Sequence, residues 1–116
     1  MDLMRNEIYS VSIDDNTTRQ TIKEAYDNYK VILEPHGAIG WKGLVSYLEK
    51  NPEEKDELCV SLETAHPAKF PEQINEILGI DPELPPSLTG LDDKPEFVEK
   101  VDNNYQSFKN WLKVNY

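Results

Sequence analysis

The feature that most constrains the fold is a stretch in the middle of the chain, residues 58–70, which read LCVSLETAHPAKF. It begins as a short apolar run, becomes polar after residue 62, and ends where Pro71 opens a new helical pattern. In open α/β folds, ligands bind beyond the carboxyl ends of the strands. The stretch therefore predicts a strand, a turn and a helix, with Thr64, His66 and Lys69 where a ligand would bind.

Two further apolar segments predict strands. Residues 8–13 alternate apolar and polar side chains, as in a half-buried strand, and residues 31–33 form a brief apolar run. Each predicted strand precedes a helical pattern, and these patterns begin near Thr17, Trp41 and Pro71. Thr17 is the predicted N-cap of the first helix, in a capping box with Gln20. The alternation predicts an α/β fold with a short, mostly parallel sheet and flanking helices.

The connections follow from proline and glycine. A tight turn is predicted at residues 34–37, because Pro35 disfavours helix at the residue before it. Gly37 and Gly40 allow the backbone there to turn tightly or to approach a ligand closely. We expect a Pro-rich loop at residues 80–102, where four prolines and Gly90 exclude regular structure, and a last helix from about Asp102 or Asn103. The length of 116 residues predicts a single α/β domain, residues 1–116.

Composition excludes several classes of partner. With 12 Lys and Arg against 22 Asp and Glu, the net charge of -10 argues against nucleic-acid binding. Apolar runs are too short to span a membrane, and no signal-peptide pattern is present, which predicts a cytoplasmic protein. Cys59 lies in an apolar run and predicts a buried, reduced thiol. Two histidines and one cysteine lack the spacing of a zinc site, so we expect no metal.

Two motifs carry a resemblance to a known family. Residues 63–70, ETAHPAKF, look like the TAHPAKF segment near the C-terminus of threonine synthases, pyridoxal-phosphate enzymes of fold type II. Residues 33–41, LEPHGAIGW, resemble the DPHGAVGY turn of that family, with Glu34 where Asp is usual and Trp41 where Tyr is common. The resemblance covers nearly all of this chain but only the last quarter or so of such an enzyme.

The resemblance implies a C-terminal fragment of a threonine synthase. Its parent would be a carbon–oxygen lyase acting on phosphates, which converts O-phospho-L-homoserine and water to L-threonine and phosphate with pyridoxal phosphate. The Schiff-base lysine of the family lies upstream, so we expect no catalytic residue in this chain. On its own the fragment is predicted to be inactive and not to bind the cofactor. Its partner would be the missing N-terminal portion of the parent.

The same resemblance suggests cofactor-binding residues. In fold type II enzymes a small hydroxyl residue commonly faces the pyridine nitrogen, and Thr64 matches that residue by its place in the motif, with Ser61 as a second candidate. A neutral hydroxyl does not hold the ring nitrogen protonated as a carboxylate does. The alternative is that Thr64 only hydrogen-bonds to backbone at a strand end.

Lys69 and His66 are candidates for substrate binding. A lysine between a strand end and a helix start shares an anion with the helix dipole, so Lys69 would lie near the substrate phosphate unless it is an ordinary surface lysine. His66 has the side chain of a proton shuttle or of a structural hydrogen-bonder that holds the turn. The structural role is favoured for His66, and more strongly for His36.

A rival interpretation belongs to another class. The chain could be a free-standing acidic α/β module that binds a ligand or partner without catalysis, or a regulatory domain for a small acid or amino acid. A fragment should expose apolar surface that the missing portion covers, and should self-associate through it. A free-standing module should be monomeric.

Overall fold

The computed structural model describes residues 7–116, and within that range it contains helices but no β-strand. The helices are α1 (Asp15–Tyr29), α2 (Pro35–Lys50), α3 (Pro71–Leu78) and α4 (Tyr105–Asn115), with short 3-10 turns at Pro52–Glu54 and Pro67–Lys69. The chain divides into two compact units, one ending at Pro85 and the other spanning Pro86–Tyr116. Helices α1 to α3 belong to the first unit and α4 to the second. A single domain over residues 1–116 stays a prediction.

The predicted α/β fold with a parallel sheet is wrong for the described residues. None of the segments 8–13, 31–33 and 58–62 forms a strand. A strand exists only where a neighbour pairs with its backbone N–H and C=O groups, and an apolar run does not supply that neighbour by itself. The run at residues 58–62 instead exposes its side chains, with Leu58 94% and Val60 72% accessible.

Helix α1 begins at a different cap from the one predicted. The Asp14 carboxylate accepts a hydrogen bond from the backbone N–H of Thr17 at 2.7 Å, so Asp14 is the N-cap and Thr17 is inside the helix. Aspartate is among the best N-cap residues, because its oxygen satisfies an otherwise unpaired amide. The helix ends at Lys30, which adopts the left-handed conformation with φ 60°.

Helix α2 begins at Pro35 rather than near Trp41, so the predicted tight turn at residues 34–37 is the N-cap and first turn of this helix. Proline is favoured at the first helical position, because the amide it lacks has no partner there. The restriction that Pro35 places on the preceding residue is also met, since Glu34 has the extended backbone of an N-cap, with φ -84° and ψ 164°.

A small core holds the first unit together. Its buried side chains come from α1, the segment before α2, α2 and α3, and they are Ile22, Ala25, Leu33, Ala38 and Ile74. Helix α1 packs against both α2 and α3. An exposed ion pair between Arg19 of α1 and Glu76 of α3, at 2.5 Å, joins the same two helices at the surface.

The end of α3 is as predicted. The helix runs from Pro71 to Leu78, and Gly79 closes it with φ 68°. Beyond it the chain forms turns and irregular segments up to Asn104, whose side chain caps α4 by accepting from the amides of Gln106 and Ser107. Across residues 7–116, no helix combines the length and the apolar character needed to cross a bilayer.

Candidate functional site

The first turn of α2 is organised by a fully buried carboxylate, that of Glu34. One oxygen accepts from the backbone N–H of Gly37 at 2.8 Å. The other accepts from the backbone N–H of His36 at 2.8 Å and lies 2.7 Å from His36 Nδ1. Burial by itself raises the pKa of Glu34, but the hydrogen bonds from His36 and Gly37 outweigh burial and leave the pKa below its ordinary value. Glu34 is therefore ionised at neutral pH.

A second carboxylate, that of Glu63, lies against the same helical turn. Its Oε1 accepts from the backbone N–H of Glu34 at 2.9 Å, a contact between residues 29 apart in the chain. Gly37 makes room for it, because a Cβ at Gly37 would lie 2.5 Å from Glu63 Cδ and closer still to Oε1. The amides of Glu34, His36 and Gly37 are thus all satisfied by side chains of this chain. This helix N-terminus does not offer a free anion site.

Gly37 belongs to a row of glycines along α2. Gly40 lies opposite Ser61, whose Oγ would be 3.4 Å from a Cβ there, and Gly43 lies opposite Val11. The segment containing Ser61 and Glu63 therefore runs along α2 in the opposite direction to the helix. We predicted that Gly37 and Gly40 permit a tight turn or a close ligand. Both lie in a helix instead, and they admit other parts of the same chain.

Thr64 is exposed, and its hydroxyl makes no hydrogen bond within the described residues. The alternative role, a hydroxyl bonded to backbone at a strand end, is not seen there. A free hydroxyl fits a pyridine nitrogen, since it both donates and accepts. Ser61 is half-buried with its hydroxyl toward α2, so the two candidate hydroxyls differ in their surroundings.

His66 caps the 3-10 turn Pro67–Lys69. Its Nδ1 lies 3.1 Å from the backbone N of Ala68 and accepts that proton. This is the turn-holding role predicted for His66, and it leaves Nε2 outside the capping bond. A substrate contact by His66 stays a prediction.

Lys69 is exposed and stands two residues before α3. Phe70, the residue that precedes the helix, has no side-chain acceptor, and Pro71 has no amide, so the first amides of α3 are those of Glu72 and Gln73. An open cavity of about 320 Å³ lies here, lined by Lys69, Phe70, Pro71, Glu72 and Gln73. Lys69 and these amides provide positive charge beside the cavity, and the acidic Glu72 of the first turn lines it as well.

Sequence reasoning missed the role of Glu63 and misjudged Cys59. Sequence reasoning assigned Glu63 no role beyond its place in the ETAHPAKF motif. Its position directly before Thr64 was the only indication that it supports the candidate site. The predicted buried thiol is wrong, since Cys59 is exposed in the unpaired run. The described residues contain no group of three or more His, Cys, Asp and Glu side chains that could hold a metal ion.

Comparison with known proteins gives a consistent result. Residues 37–111 match the family profile described as "Threonine synthase, C-terminal". Threonine synthase of Serratia marcescens is 37% identical over 106 residues, which cover 91% of this chain and 23% of that protein. The Haemophilus influenzae enzyme is 33% identical over 106 residues, covering 91% of this chain and 24% of its own length.

A solved structure agrees. The crystal structure of threonine synthase from Escherichia coli superposes with a TM-score of 0.73 and 28% identity, covering 99% of this chain and 27% of that one. The chain thus spans about a quarter of the length of the relatives it matches. It belongs to the threonine synthase family, and it corresponds to the C-terminal domain of that family.

Proposed function

We propose that this chain is the C-terminal part of an enzyme that converts O-phospho-L-homoserine and water to L-threonine and phosphate with pyridoxal phosphate, a carbon–oxygen lyase acting on phosphates. The observation that carries the proposal is the exposed, unbonded hydroxyl of Thr64 inside the region that matches the family. A cytoplasmic location is part of the proposal and rests on the single cysteine in the composition.

The residues of this chain would bind and orient rather than react. Pyridoxal phosphate, when bound, supplies an electron sink. Thr64 would hydrogen-bond the ring nitrogen, with Ser61 as the second candidate, and a neutral hydroxyl there would leave that nitrogen less positive than a carboxylate would. The lysine that anchors the cofactor would come from the N-terminal portion of the parent.

Lys69 and His66 would serve the substrate. The Lys69 ammonium and the amides at the start of α3 would attract the phosphate of O-phosphohomoserine, because Lys69 and the first residues of that helix line one open cavity. The Glu72 carboxylate lines the same cavity and would oppose this attraction. The His66 imidazole would present Nε2 beside them, because Nδ1 holds the turn.

The N-terminal portion of the parent would also be the main protein partner. Leu58, Val60 and Leu62 are 94%, 72% and 77% exposed, and apolar side chains in a contiguous run mark a surface that another protein segment covers. In its absence, this run would promote self-association of the isolated chain.

The role of Thr64 is tested in the full-length protein. Thr64→Val should weaken pyridoxal phosphate binding, measured by the absorbance change on cofactor titration, because it removes the hydroxyl and little else. Thr64→Ser is the matched control and should stay close to wild type. Unchanged cofactor affinity and turnover in Thr64→Val would remove this residue from the site.

The isolated chain provides a second test. We expect titration with pyridoxal phosphate, then borohydride reduction and mass analysis, to give no stoichiometric lysine adduct, because the anchoring lysine lies elsewhere. A stoichiometric adduct at Lys69 would contradict the proposed division of the site between this chain and the missing portion.

A further inference from the structure

The loop that carries the candidate site residues is attached at both ends to one helical turn. On one side, Glu63 accepts from the backbone N–H of Glu34, the N-cap of α2. On the other side, the ring of Phe70 lies 5.5 Å from the ring of His36, centroid to centroid. Thr64, His66 and Lys69 all fall between these two attachments. Residues 64–69 are therefore a closed loop resting on the first turn of α2.

The attachment at Glu63 is specific in its chemistry. The acceptor oxygen of Glu63 binds one of the backbone amides at the N-terminal end of α2, where the helix dipole also favours a carboxylate. The oxygen reaches that amide through the space beside Gly37 that a Cβ would fill. The buried carboxylate of Glu34 accepts hydrogen bonds from the amides of His36 and Gly37, so Glu63 binds a turn that is already held in place.

We infer that Glu63 is a positioning residue for Thr64. Glu63 is the residue directly before Thr64, so the contact of its side chain with Glu34 and Gly37 fixes where the Thr64 backbone starts. A hydroxyl aimed at a ring nitrogen must be held within a fraction of an ångström, and that requires support from neighbouring groups. The inference rests on the proposed function, because it concerns the cofactor contact of Thr64.

The first measurement concerns the attachment itself and uses the 116-residue chain. In Glu63→Ala, the amide proton of Glu34 should lose its acceptor and shift upfield in an NMR spectrum. Glu63→Gln keeps an acceptor oxygen at the same reach and should largely preserve the shift. An unchanged Glu34 amide in Glu63→Ala would overturn the inference.

The second measurement uses the full-length protein and its affinity for pyridoxal phosphate. Glu63→Ala should raise the dissociation constant by about two- to tenfold, the range expected for loss of one hydrogen bond. Glu63→Gln should restore most of the affinity. Glu57→Ala, an exposed acidic residue of the same segment without this contact, is the matched control and should leave the affinity unchanged.

Measurements in a Thr64→Val background distinguish the positioning role of Glu63 from the cofactor contact of Thr64. If Glu63 acts through Thr64, Glu63→Ala should have no further effect once Thr64 is valine. A full additional loss in that background would overturn the inference, as would a normal affinity in Glu63→Ala while Thr64→Val is weakened. If Thr64→Val itself binds the cofactor normally, the proposed role of Thr64 fails and the inference fails with it.

Discussion

At the scale of single residues, Gly37 is explained by a neighbouring side chain rather than by its own backbone angle. A glycine in a helix costs about 1 kcal/mol relative to alanine. Here that cost is offset because the missing Cβ admits the Glu63 carboxylate, which then satisfies the amide of Glu34. The preference for glycine at residue 37 should therefore depend on the presence of Glu63.

That dependence can be measured as a coupling. In the wild-type background, Gly37→Ala should displace the Glu63 carboxylate and break its hydrogen bond, which lowers the free energy of unfolding. In a Glu63→Ala background the same change should raise it, because only the better helix propensity of alanine remains. We expect a coupling of about 1–2 kcal/mol by chemical denaturation. Additive effects would show that the two side chains do not interact.

The lowered pKa of Glu34 predicts how the stability of the chain depends on pH. Its pKa in the folded chain lies below the ordinary value of 4.5, so the stability it contributes is present above that value and is lost as the pH falls through the lowered pKa. Unfolding free energies measured from about pH 5 downward should therefore fall less steeply in Glu34→Gln than in wild type. Asp14 and Glu76 also have lowered pKa values, so some slope should remain in the variant. Identical slopes would argue against a lowered pKa of Glu34 in the folded chain.

At the scale of secondary structure, a glycine that ends a helix and a glycine inside one have different uses. Gly79 ends α3 with φ 68°, a conformation that side chains disfavour, and no atom lies within 4 Å of a Cβ there. Gly43 lies inside α2, where the nearest neighbour of a Cβ would be Val11 Cγ1 at an ordinary 3.8 Å. Gly79 is needed for its left-handed backbone conformation, whereas Gly43 is needed neither for a turn nor for a close contact.

The matched pair of substitutions should change stability in opposite directions. Gly79→Ala should lower the free energy of unfolding by about 1 kcal/mol, the cost of the left-handed conformation for a residue with a Cβ. Gly43→Ala should raise it by about 0.5–1 kcal/mol through helix propensity. Thermal and chemical unfolding of both variants would test this. A loss of stability in Gly43→Ala would mean that Val11 packs against α2 more tightly than its distance indicates.

At the scale of the whole molecule, the exposed apolar run predicts a contact with another chain or chain segment. Leu58, Val60 and Leu62 lie within one short segment, and they remain accessible because the first unit offers them no partner. Their burial in a larger protein would contribute on the order of 25 cal/mol per Å² of apolar surface. The isolated chain should therefore associate with itself.

Two valines of nearly equal exposure test the location of that surface. Val60 is 72% and Val98 is 70% accessible, but Val60 lies between Leu58 and Leu62, whereas Val98 has one exposed apolar neighbour, Phe97, and is followed by two charged residues. Val60→Asp should weaken self-association by about tenfold, as expected when one apolar contact is replaced by a charge. Val98→Asp should have a smaller effect. Sedimentation velocity over a range of concentrations would measure both, and equal effects would contradict a contact centred on residues 58–62.

Much of the helical part of the fold was predictable because its signals are local. The run from Pro71 to Gly79 contains its own start, apolar face and stop, and the structure has the same helix. The start of α2 was missed although Pro35 was noticed, because Pro35 was interpreted as a helix breaker rather than as a first helical residue. The cap of α1 was misplaced by three residues, since Asp14 and Thr17 are both good caps and only the backbone angles separate them.

By itself the sequence determined the helical faces and, through two motifs, the family, because both are written in residues close together along the chain. The tertiary structure alone decided that residues 58–62 stay unpaired, that Cys59 is exposed, and that Glu63 holds the loop of Thr64 against α2. The reason is physical. A helix closes its hydrogen bonds within four residues, whereas strand pairing, burial and the contact of Glu63 with Glu34 all need a partner that is distant in sequence.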